Sequence, residues 1–354
     1  MPFEWKYQRL VPERRPPGHQ PAAPRYSLRW TEPRSTLVSV YFGMQADAAG
    51  DAALAPAHIA RIRGFLAEAN GPAAHEIMRC TDEAGLENTI VVAYWTEPGV
   101  YARWLEDSGF RPWFDDPARL GGAVGYWFEA LVVPYDRHET IYSAPGYRIG
   151  LARTPATEIV PITTNGYFGA ARDRLPLSAI DTLESPSGGL FPATTEHASR
   201  GAHLCAVVPH NCTVLRSGQY WEGAGQEQLD DYMNALQPKL MRGMAYLVEE
   251  RERTGCLSLR IMTNLNEDGS ARAETSVYAA FLSLNQLEAW AESHDTHMEI
   301  YRHAIAMNRL YKEKREVVTW HELFVLGMGN LFEYVNCHPR TGILPYARVL
   351  TDRG

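Results

Sequence analysis

The sequence contains one pattern twice, and this repeat restricts the possible folds more than any other feature. The segment "VVAYWTEPGVYARWLEDSGFRPWF" (91–114) aligns with "VYAAFLSLNQLEAWAESHDTHMEI" (277–300), so that Trp104 falls on Trp290. In both copies a run of β-branched and aromatic residues precedes a short turn and an amphipathic stretch. Each copy is therefore predicted to fold as a strand, a turn and a helix.

A second repeat follows the first in each copy. The segment "GYWFEALVV" (125–133) aligns with "VTWHELFVL" (318–326), which places Trp127 on Trp320 and Glu129 on Glu322. Strands and helices alternate irregularly along the chain, and no Gly-rich phosphate loop is present, which favours an α+β fold over a parallel doubly wound sheet. We expect two related α+β halves that pack sheet against sheet.

Composition shifts suggest the domain boundaries. Residues 1–34 are Pro-rich and lack periodicity, so we expect an irregular N-terminal arm. The first half is predicted to span 35–160 and the second 161–354, with a loop rich in Gly, Ser, Pro and Thr at about 183–202. The repeat also indicates a single functional site in the second half, because His297 and His321 replace Arg111 and Phe128 of the first half.

Charge and hydropathy exclude several classes of function. The formal charge of −8 arises from 42 acidic and 34 basic residues without a basic run, so we expect no nucleic-acid partner. No apolar run is long enough to cross a membrane, and the N-terminus lacks a signal-peptide core, so we expect a cytoplasmic protein. The five cysteines form no C-x-x-C pair, which is typical of reduced, buried thiols.

Two histidines lie three residues apart in "AESHDTHMEI" (291–300). Ser283 and Gln286 form a capping-box pattern, so a helix is predicted to begin there. Apolar and aromatic residues then recur every three or four positions, and His294 and His297 lie on the same side. Two interpretations remain open from these residues: both histidines are half-buried structural residues, or one of them binds a metal or haem.

A third histidine, His321, lies in the predicted strand "VVTWHELFVL" (317–326), on the same face as Thr319 and Leu323. It is either a core histidine with a satisfied ring or a proton-transfer group in an apolar pocket. A zinc site formed by His294, His297 and His321 is a further alternative, although no cysteine or carboxylate with suitable spacing completes it.

Two further segments carry polar residues next to aromatic ones. In "LRSGQYW" (215–221) the hydroxyl of Ser217 is a candidate for pointing into a cavity, and the alternative is an ordinary turn. In "GYFGAARDRLP" (166–176) Arg172 and Arg174 are either surface charges or anchors for an anion or a hydroxyl group.

Taken together, "LRSGQYW", "WAESHDTHMEIY", "TWHELF" and "LFEYVNCHPRTGIL" resemble the aldoxime dehydratases, haem enzymes that convert aldoximes into nitriles. The resemblance extends over about 35–350 and is strongest after residue 160. It implies a fold of two fused ferredoxin-like halves that form a dimeric-α+β-barrel-like core. It also implies haem b as the cofactor, with ferrous iron in the active form, and a lyase activity on small-molecule aldoximes.

The resemblance assigns roles to individual residues. His297, the second histidine of "SHDTH", corresponds to the proximal haem ligand, and His321 of "WHELF" to the distal acid and base. Ser217 and Arg174 correspond to residues that hold the oxime hydroxyl, and Glu139 of "RHETIY" to a supporting carboxylate. His294 is then structural.

The sequence departs from the family at one place, because the charged stretch "LYKEKRE" (310–316) lengthens the spacing between His297 and His321. We expect this stretch to form a loop that leaves the chemistry intact. The alternatives to a dehydratase are a haem peroxidase or chlorite-dismutase-like oxidoreductase and a non-catalytic haem-binding protein. The Pro-rich arm and the paired sheets favour a homodimer.

Overall fold

The computed structural model describes residues 3–47 and 53–350 of the chain. The fourteen strands of these residues are β1 Arg25–Trp30, β2 Thr36–Ala46, β3 Ala74–Thr81, β4 Glu87–Trp95, β5 Gly125–Pro134, β6 His138–Tyr142, β7 Thr157–Ile162, β8 His203–Val207, β9 Thr213–Tyr220, β10 Cys256–Leu265, β11 Ala271–Phe281, β12 Val318–Val325, β13 Leu331–Val335 and β14 Arg348–Leu350. The α-helices are α1 Leu54–Leu66, α2 Pro98–Asp107, α3 Phe110–Phe114, α4 Ala170–Arg174, α5 Gln226–Asp231, α6 Gln237–Glu249, α7 Arg251–Thr254, α8 Leu284–Ser293 and α9 Asp295–Tyr311. The predicted α+β class is confirmed.

The two repeats of the sequence occupy equivalent places in the fold. The first half runs β2, α1, β3, β4, α2, α3 and β5, and the second runs β9, α5, α6, β10, β11, α8, α9 and β12. The strands of the first half lie side by side in the order β5-β2-β4-β3, and those of the second in the order β12-β9-β11-β10. Each half therefore has a β-α-β-β-α-β sequence of elements, and its four strands lie in the same order in both halves.

The repeated tryptophans explain why both halves share this pattern. Trp127 of β5 packs against Gly43 of β2, and Trp320 of β12 packs against Gly218 of β9, so a Cβ at either glycine would overlap the indole ring. All four residues lie within antiparallel pairs of neighbouring strands. In each half the close approach of an indole to a glycine fixes how the first and last strands fit together.

The halves exchange strands and form one antiparallel sheet of fourteen strands. β3 pairs with β10 at the junction, while β6 pairs with β12 and β13 pairs with β5, so each half contributes a strand to the other. The inner faces of the two halves also contact each other, and the rings of Tyr41 and Tyr278 lie 4.3 Å apart. As a result Glu139, which belongs to the first half by sequence, lies beside β12 of the second.

The arm differs from its prediction. Residues 25–30, which we expected to be irregular, form β1 and pair with β7 along six residues. β1 and β7 are short strands that are stabilised by their pairing with each other. β7 lies at the edge of the sheet, where a proline such as Pro161 is tolerated. Within the described residues, no helix is long and apolar enough to cross a membrane.

Candidate active site

A cavity of about 430 Å³ lies between the sheet of the second half and its helices. The sheet wall is formed by alternate residues of neighbouring strands, because successive side chains of a strand point to opposite faces. These residues are Ile141, Leu215, Ser217, Gln219, Thr275, Val277, Ala279, Phe281, Thr319, His321 and Leu323. The opposite wall is formed by α6, α8 and α9, and residues 166–171 and Arg174 also line the cavity. The cavity thus lies in the second half, as the repeat predicted.

His297 lies on the helical wall of the cavity, near the start of α9. Its Nδ1 is 2.6 Å from the carbonyl oxygen of Ala291, and its ring lies 4.8 Å from that of Trp290. Nδ1 therefore donates to the carbonyl, which leaves Nε2 as the nitrogen that can bind a metal. Burial lowers the pKa of His297 below its ordinary value, although the hydrogen bond to Ala291 opposes this shift. The imidazole is neutral at physiological pH, as a metal ligand must be.

His294 does not share this position, and the prediction of one continuous helical stripe was wrong. The helix begins at Leu284 as predicted but ends at Ser293, and His294 has extended backbone angles as the N-cap of α9. Its Nδ1 accepts a hydrogen bond from the backbone N–H of Thr296, and its ring stacks on Tyr246 at 3.6 Å. A capping role points its ring nitrogen at the backbone, so His294 is structural.

Glu139, Arg174 and His321 form a hydrogen-bonded cluster at the sheet wall. The Nε of Arg174 donates to Glu139 at 2.6 Å, and Nε2 of His321 lies 2.7 Å from the other oxygen of this carboxylate. The Nη2 of Arg174 lies 3.3 Å from the same Nε2. Burial alone would raise the pKa of Glu139, but the charges and hydrogen bonds of Arg174 and His321 lower it to about 2. Glu139 is therefore an anion that accepts from both neighbours.

Ser217 lies directly opposite His321 in the pairing of β9 with β12. Within the described part of the chain, its hydroxyl has no hydrogen-bond partner, and neither does Nδ1 of His321. Both residues line the cavity. A hydroxyl and an imidazole are thus available to a molecule bound between the sheet and His297.

Arg172 has a different environment from Arg174. It lies away from the sheet wall, where its guanidinium donates to Glu288 at 2.8 Å and also binds Thr182 and Asn285. Arg172 is buried and its guanidinium forms an ion pair with Glu288, whereas Arg174 lines the cavity. The interpretation of the arginines of "RDR" as surface charges is therefore wrong for both.

Gln219 was not predicted to line the cavity, and Thr319 was placed on the same face as His321 without a role at the site. They lie two positions from Ser217 and His321, and Thr319 pairs with Gln219 across the strands. The period of two along a strand was the signal that could have identified them.

The first half holds aromatic side chains where the second half has its cavity. Phe128, which takes the place of His321, packs on Phe42 and Phe110 with ring distances of 5.5 and 5.2 Å. Arg111, which takes the place of His297, forms an ion pair with Glu333 at 3.0 Å. These rings belong to a compact aromatic cluster, so the equivalent volume is packed.

The cavity can hold a large, mainly apolar group. Its lining is mostly apolar and places the neutral imidazole of His297 on one wall, whereas His321 lies on the other wall and His294 lies outside the cavity. A zinc site needs its ligands to converge, so the zinc alternative is not supported. Haem needs a single axial ligand and apolar walls, which the cavity offers.

The fold and the site define an α+β protein whose large cavity lies between His297 and the cluster of Glu139, Arg174 and His321, and comparison with known proteins identifies its class. The sequence profile of the haem-containing dehydratases matches residues 40–343, so the chain belongs to this family. The family resemblance inferred from the motifs is thereby confirmed.

Individual relatives are similar over almost the whole chain. The chain is 30% identical to the phenylacetaldoxime dehydratase of Bacillus sp. (strain OxB-1), with 94% of each chain covered. It is 32% identical to the aliphatic aldoxime dehydratase of Pseudomonas chlororaphis, with 96% of this chain and 95% of the relative covered. A crystal structure of an aldoxime dehydratase superposes with a TM-score of 0.87 at 30% identity, and 97% of each chain is covered. Another, in complex with butyraldoxime, gives 0.86 at 27% identity and covers 97% of this chain and 94% of that one.

Proposed function

We propose that this protein is a lyase that dehydrates aldoximes to nitriles with haem as its cofactor. The observation that carries the proposal is the position of His321, Arg174 and Ser217 on the wall opposite His297. A non-catalytic haem-binding protein has no need of these groups there. A peroxidase-type oxidoreductase would use the same proximal histidine but would not require a serine beside the distal histidine.

Nε2 of His297 is the atom that would hold the haem, since Nδ1 is engaged by Ala291 at 2.6 Å. When bound, haem b supplies ferrous iron, which can coordinate the oxime nitrogen and return electron density to the N–O bond. Among the described residues that line the cavity there is no cysteine, so we propose that the haem is held without a covalent bond.

The reaction converts R–CH=N–OH into R–C≡N and water, and its difficulty is that hydroxide is a poor leaving group. We propose that Ser217 and the guanidinium of Arg174 bind the oxime oxygen, and that His321 donates a proton to it as the N–O bond breaks. His321 then accepts the proton that carbon releases as the nitrile forms. General acid–base help of this kind is typically worth about 10² to 10⁴ in rate.

Glu139 has a supporting role in this proposal. As a buried anion bonded to Arg174 at 2.6 Å and to His321 at 2.7 Å, it holds both groups in one orientation and stabilises the imidazolium. A carboxylate that orients an imidazole in this way acts on the reaction through that imidazole.

The proposal includes a location in the cytoplasm and a homodimeric state. The five cysteines are free and buried, as in proteins of a reducing compartment. The dimer is proposed from the Pro-rich arm and the paired sheets, and light scattering of the purified protein would measure the mass in solution.

The function can be tested with wild type, His297→Ala and His321→Ala. We expect the wild type to show a Soret band that shifts with dithionite and to form nitrile from phenylacetaldoxime or butyraldoxime. His297→Ala should purify with little haem. His321→Ala should keep its haem and a substrate-induced spectral shift while nitrile formation falls at least about 10²-fold.

His294→Ala is the matched control, because it removes a histidine of the same helical region that lies outside the cavity. It should keep both haem and activity. Loss of haem in His294→Ala, with retention in His297→Ala, would reverse the ligand assignment. A haem-loaded wild type that consumes peroxide but forms no nitrile would contradict the proposed function.

A further inference from the structure

Buried arginines in this protein follow a simple rule. Each of the four that are almost fully buried has a buried glutamate within ion-pair distance, since the solvation lost by a buried charge must be replaced. The pairs are Arg172 with Glu288, Arg174 with Glu139, Arg216 with Glu76 and Arg260 with Glu129, at distances of 2.6 to 2.8 Å.

Arg315 is partly buried at the wall of the cavity and differs from these four arginines. It lies in the charged stretch 310–316 and lines the cavity beside Thr319. Its guanidinium donates to the side-chain oxygen of Asn308, and within the described residues no carboxylate lies within ion-pair distance of it. The negative charge that acts on Arg315 is that of Asp231, whose carboxylate is bonded to His303 at 2.9 Å.

Arg25 adds a second positive charge near Arg315. The charge of Arg25 in β1 reaches Arg315, and the guanidinium of Arg25 donates to the carbonyl oxygen of Pro24 at 2.8 Å. Burial and the charge of Arg25 lower the pKa of Arg315 to about 10, and burial also lowers the pKa of Arg25. Two half-buried cations without a carboxylate partner indicate that an anion binds here.

The cavity has a polar end near Arg315 and an apolar end opposite it. Thr275, Gln219 and Thr319 form one row across β11, β9 and β12, on the side of Arg315. The next row contains Ser217 and His321, and the rows are about 7 Å apart. Beyond them the lining is mostly apolar and includes Leu247, Phe281, Leu284, Leu287 and Leu323; the carboxylate of Glu288, which also lines the cavity, is held in its ion pair with Arg172.

Haem b has the same asymmetry, because one edge of the macrocycle carries both propionates and the rest is apolar. We propose that Arg315, supported by the charge of Arg25, binds a propionate carboxylate of the haem and so fixes the orientation of the haem in the cavity. This proposal rests on the proposed haem binding by His297. It gives the charged stretch a role in cofactor binding.

The test measures haem retention without substrate, so a substrate carboxylate cannot cause the result. Excess apomyoglobin is mixed with each haem-loaded protein, and the transfer of haem is followed by absorbance. The proteins are wild type, Arg315→Gln, Arg315→Lys and Arg309→Gln. Arg309 is an exposed arginine at the end of α9 and serves as the charge-matched control. We expect Arg315→Gln to lose haem about tenfold faster or more, the value of a charge-assisted hydrogen bond, and Arg309→Gln to match wild type. Arg315→Lys should be intermediate.

Haem dimethyl ester identifies the carboxylate. Wild type and Arg315→Gln loaded with the ester should release it at equal rates, because the ester has no anion for Arg315 to bind. Equal loss of haem from both proteins, or an Arg315 effect that persists with the ester, would overturn the proposal. So would an effect confined to the KM of a carboxylate-bearing aldoxime.

Thermal unfolding of the haem-free proteins separates binding from folding. Removal of an uncompensated buried cation should leave the haem-free Arg315→Gln as stable as wild type or more stable. A haem-free variant that is destabilised as much as its haem-loaded form would make Arg315 structural and overturn the proposal. Failure of the wild type to form nitrile, with haem retention as expected, would contradict the dehydratase function and leave the propionate site standing.

Discussion

Replacement of Glu322 by glutamine should stabilise the protein at alkaline pH. Glu322 points away from the cavity into the contact between the halves, where Leu151 N–H and the Tyr94 hydroxyl donate to its carboxylate at 2.6 and 3.1 Å. Arg216 binds Glu76 directly at 2.7 Å but reaches Glu322 only through Tyr94. Burial and the nearby Glu76 raise the pKa of Glu322, and although Arg216 opposes them the result is about 7.

The sign and size follow from proton linkage. The pKa of Glu322 is about 7 in the folded protein against an ordinary value of 4.5, so the folded state keeps a proton that the unfolded chain releases between these pH values. Stability is lost as pH rises through this window, and the full cost above pH 7 is about 3 kcal/mol. A glutamine has the same shape and no charge, so Glu322→Gln should gain roughly 2 to 3 kcal/mol over wild type at pH 8 and at most about 1 kcal/mol at pH 5.

Glu129 is the control that the repeat provides, because it occupies the equivalent position of the first half. Arg260 binds both of its oxygens at 2.8 Å. Loss of one partner of a buried ion pair costs about 3 to 5 kcal/mol, so Glu129→Gln should destabilise the protein at both pH values. Urea unfolding followed by circular dichroism at pH 5 and pH 8 measures these differences. The reasoning is refuted if Glu322→Gln is no more stable than wild type at pH 8, or if its advantage is the same at pH 5.

Two further outcomes concern the arginines and the serine of the site. Ser217→Ala and Arg174→Ala should each keep haem, as judged by the Soret band, and lower kcat roughly 10²-fold, because each loses a contact that matters in the transition state; wild-type turnover would remove the residue from the proposed site. Arg172→Ala should instead lower the unfolding free energy by about 3 kcal/mol, since it leaves the buried Glu288 with only the more distant Arg14 at 4.0 Å, while kcat per haem stays near wild type. A larger loss of kcat in Arg172→Ala than in Arg174→Ala would show that the two assignments are exchanged.

Much of the fold could be predicted from the sequence because its signals are local. The alternation of apolar residues located β4 and β5 of the first half and β11 and β12 of the second, and the capping pattern at Ser283 placed the start of α8. Strands such as β1, β6 and β7 were not predicted, and these are short and pair with distant segments, as β6 does with β12. Their stability comes from tertiary pairing, which leaves little trace in a short sequence window.

The candidate site, like the fold, was predicted from the sequence only in part. The repeat indicated that the second half carries a single site, because His297 and His321 have no histidine counterparts in the first half. The family motifs then pointed to Ser217, Arg174 and Glu139. Neither source of information could show that Nδ1 of His297 is engaged by Ala291, or that Glu139 crosses from the first half to bind His321 at 2.7 Å.

The sequence by itself determined that the chain forms two related α+β halves, since strand and helix periodicity is a local signal that recurs in both copies of the repeat. Only the tertiary structure determined how the interior of each half is packed. Glu129 and Glu322 are equivalent in sequence, yet one lies against Arg260 and the other beside Glu76. In the same way, the interior of the first half is packed with aromatic rings, whereas the second half contains a cavity. The energy of a buried charge or ring depends on its surroundings, and these come from parts of the chain that the local pattern does not specify.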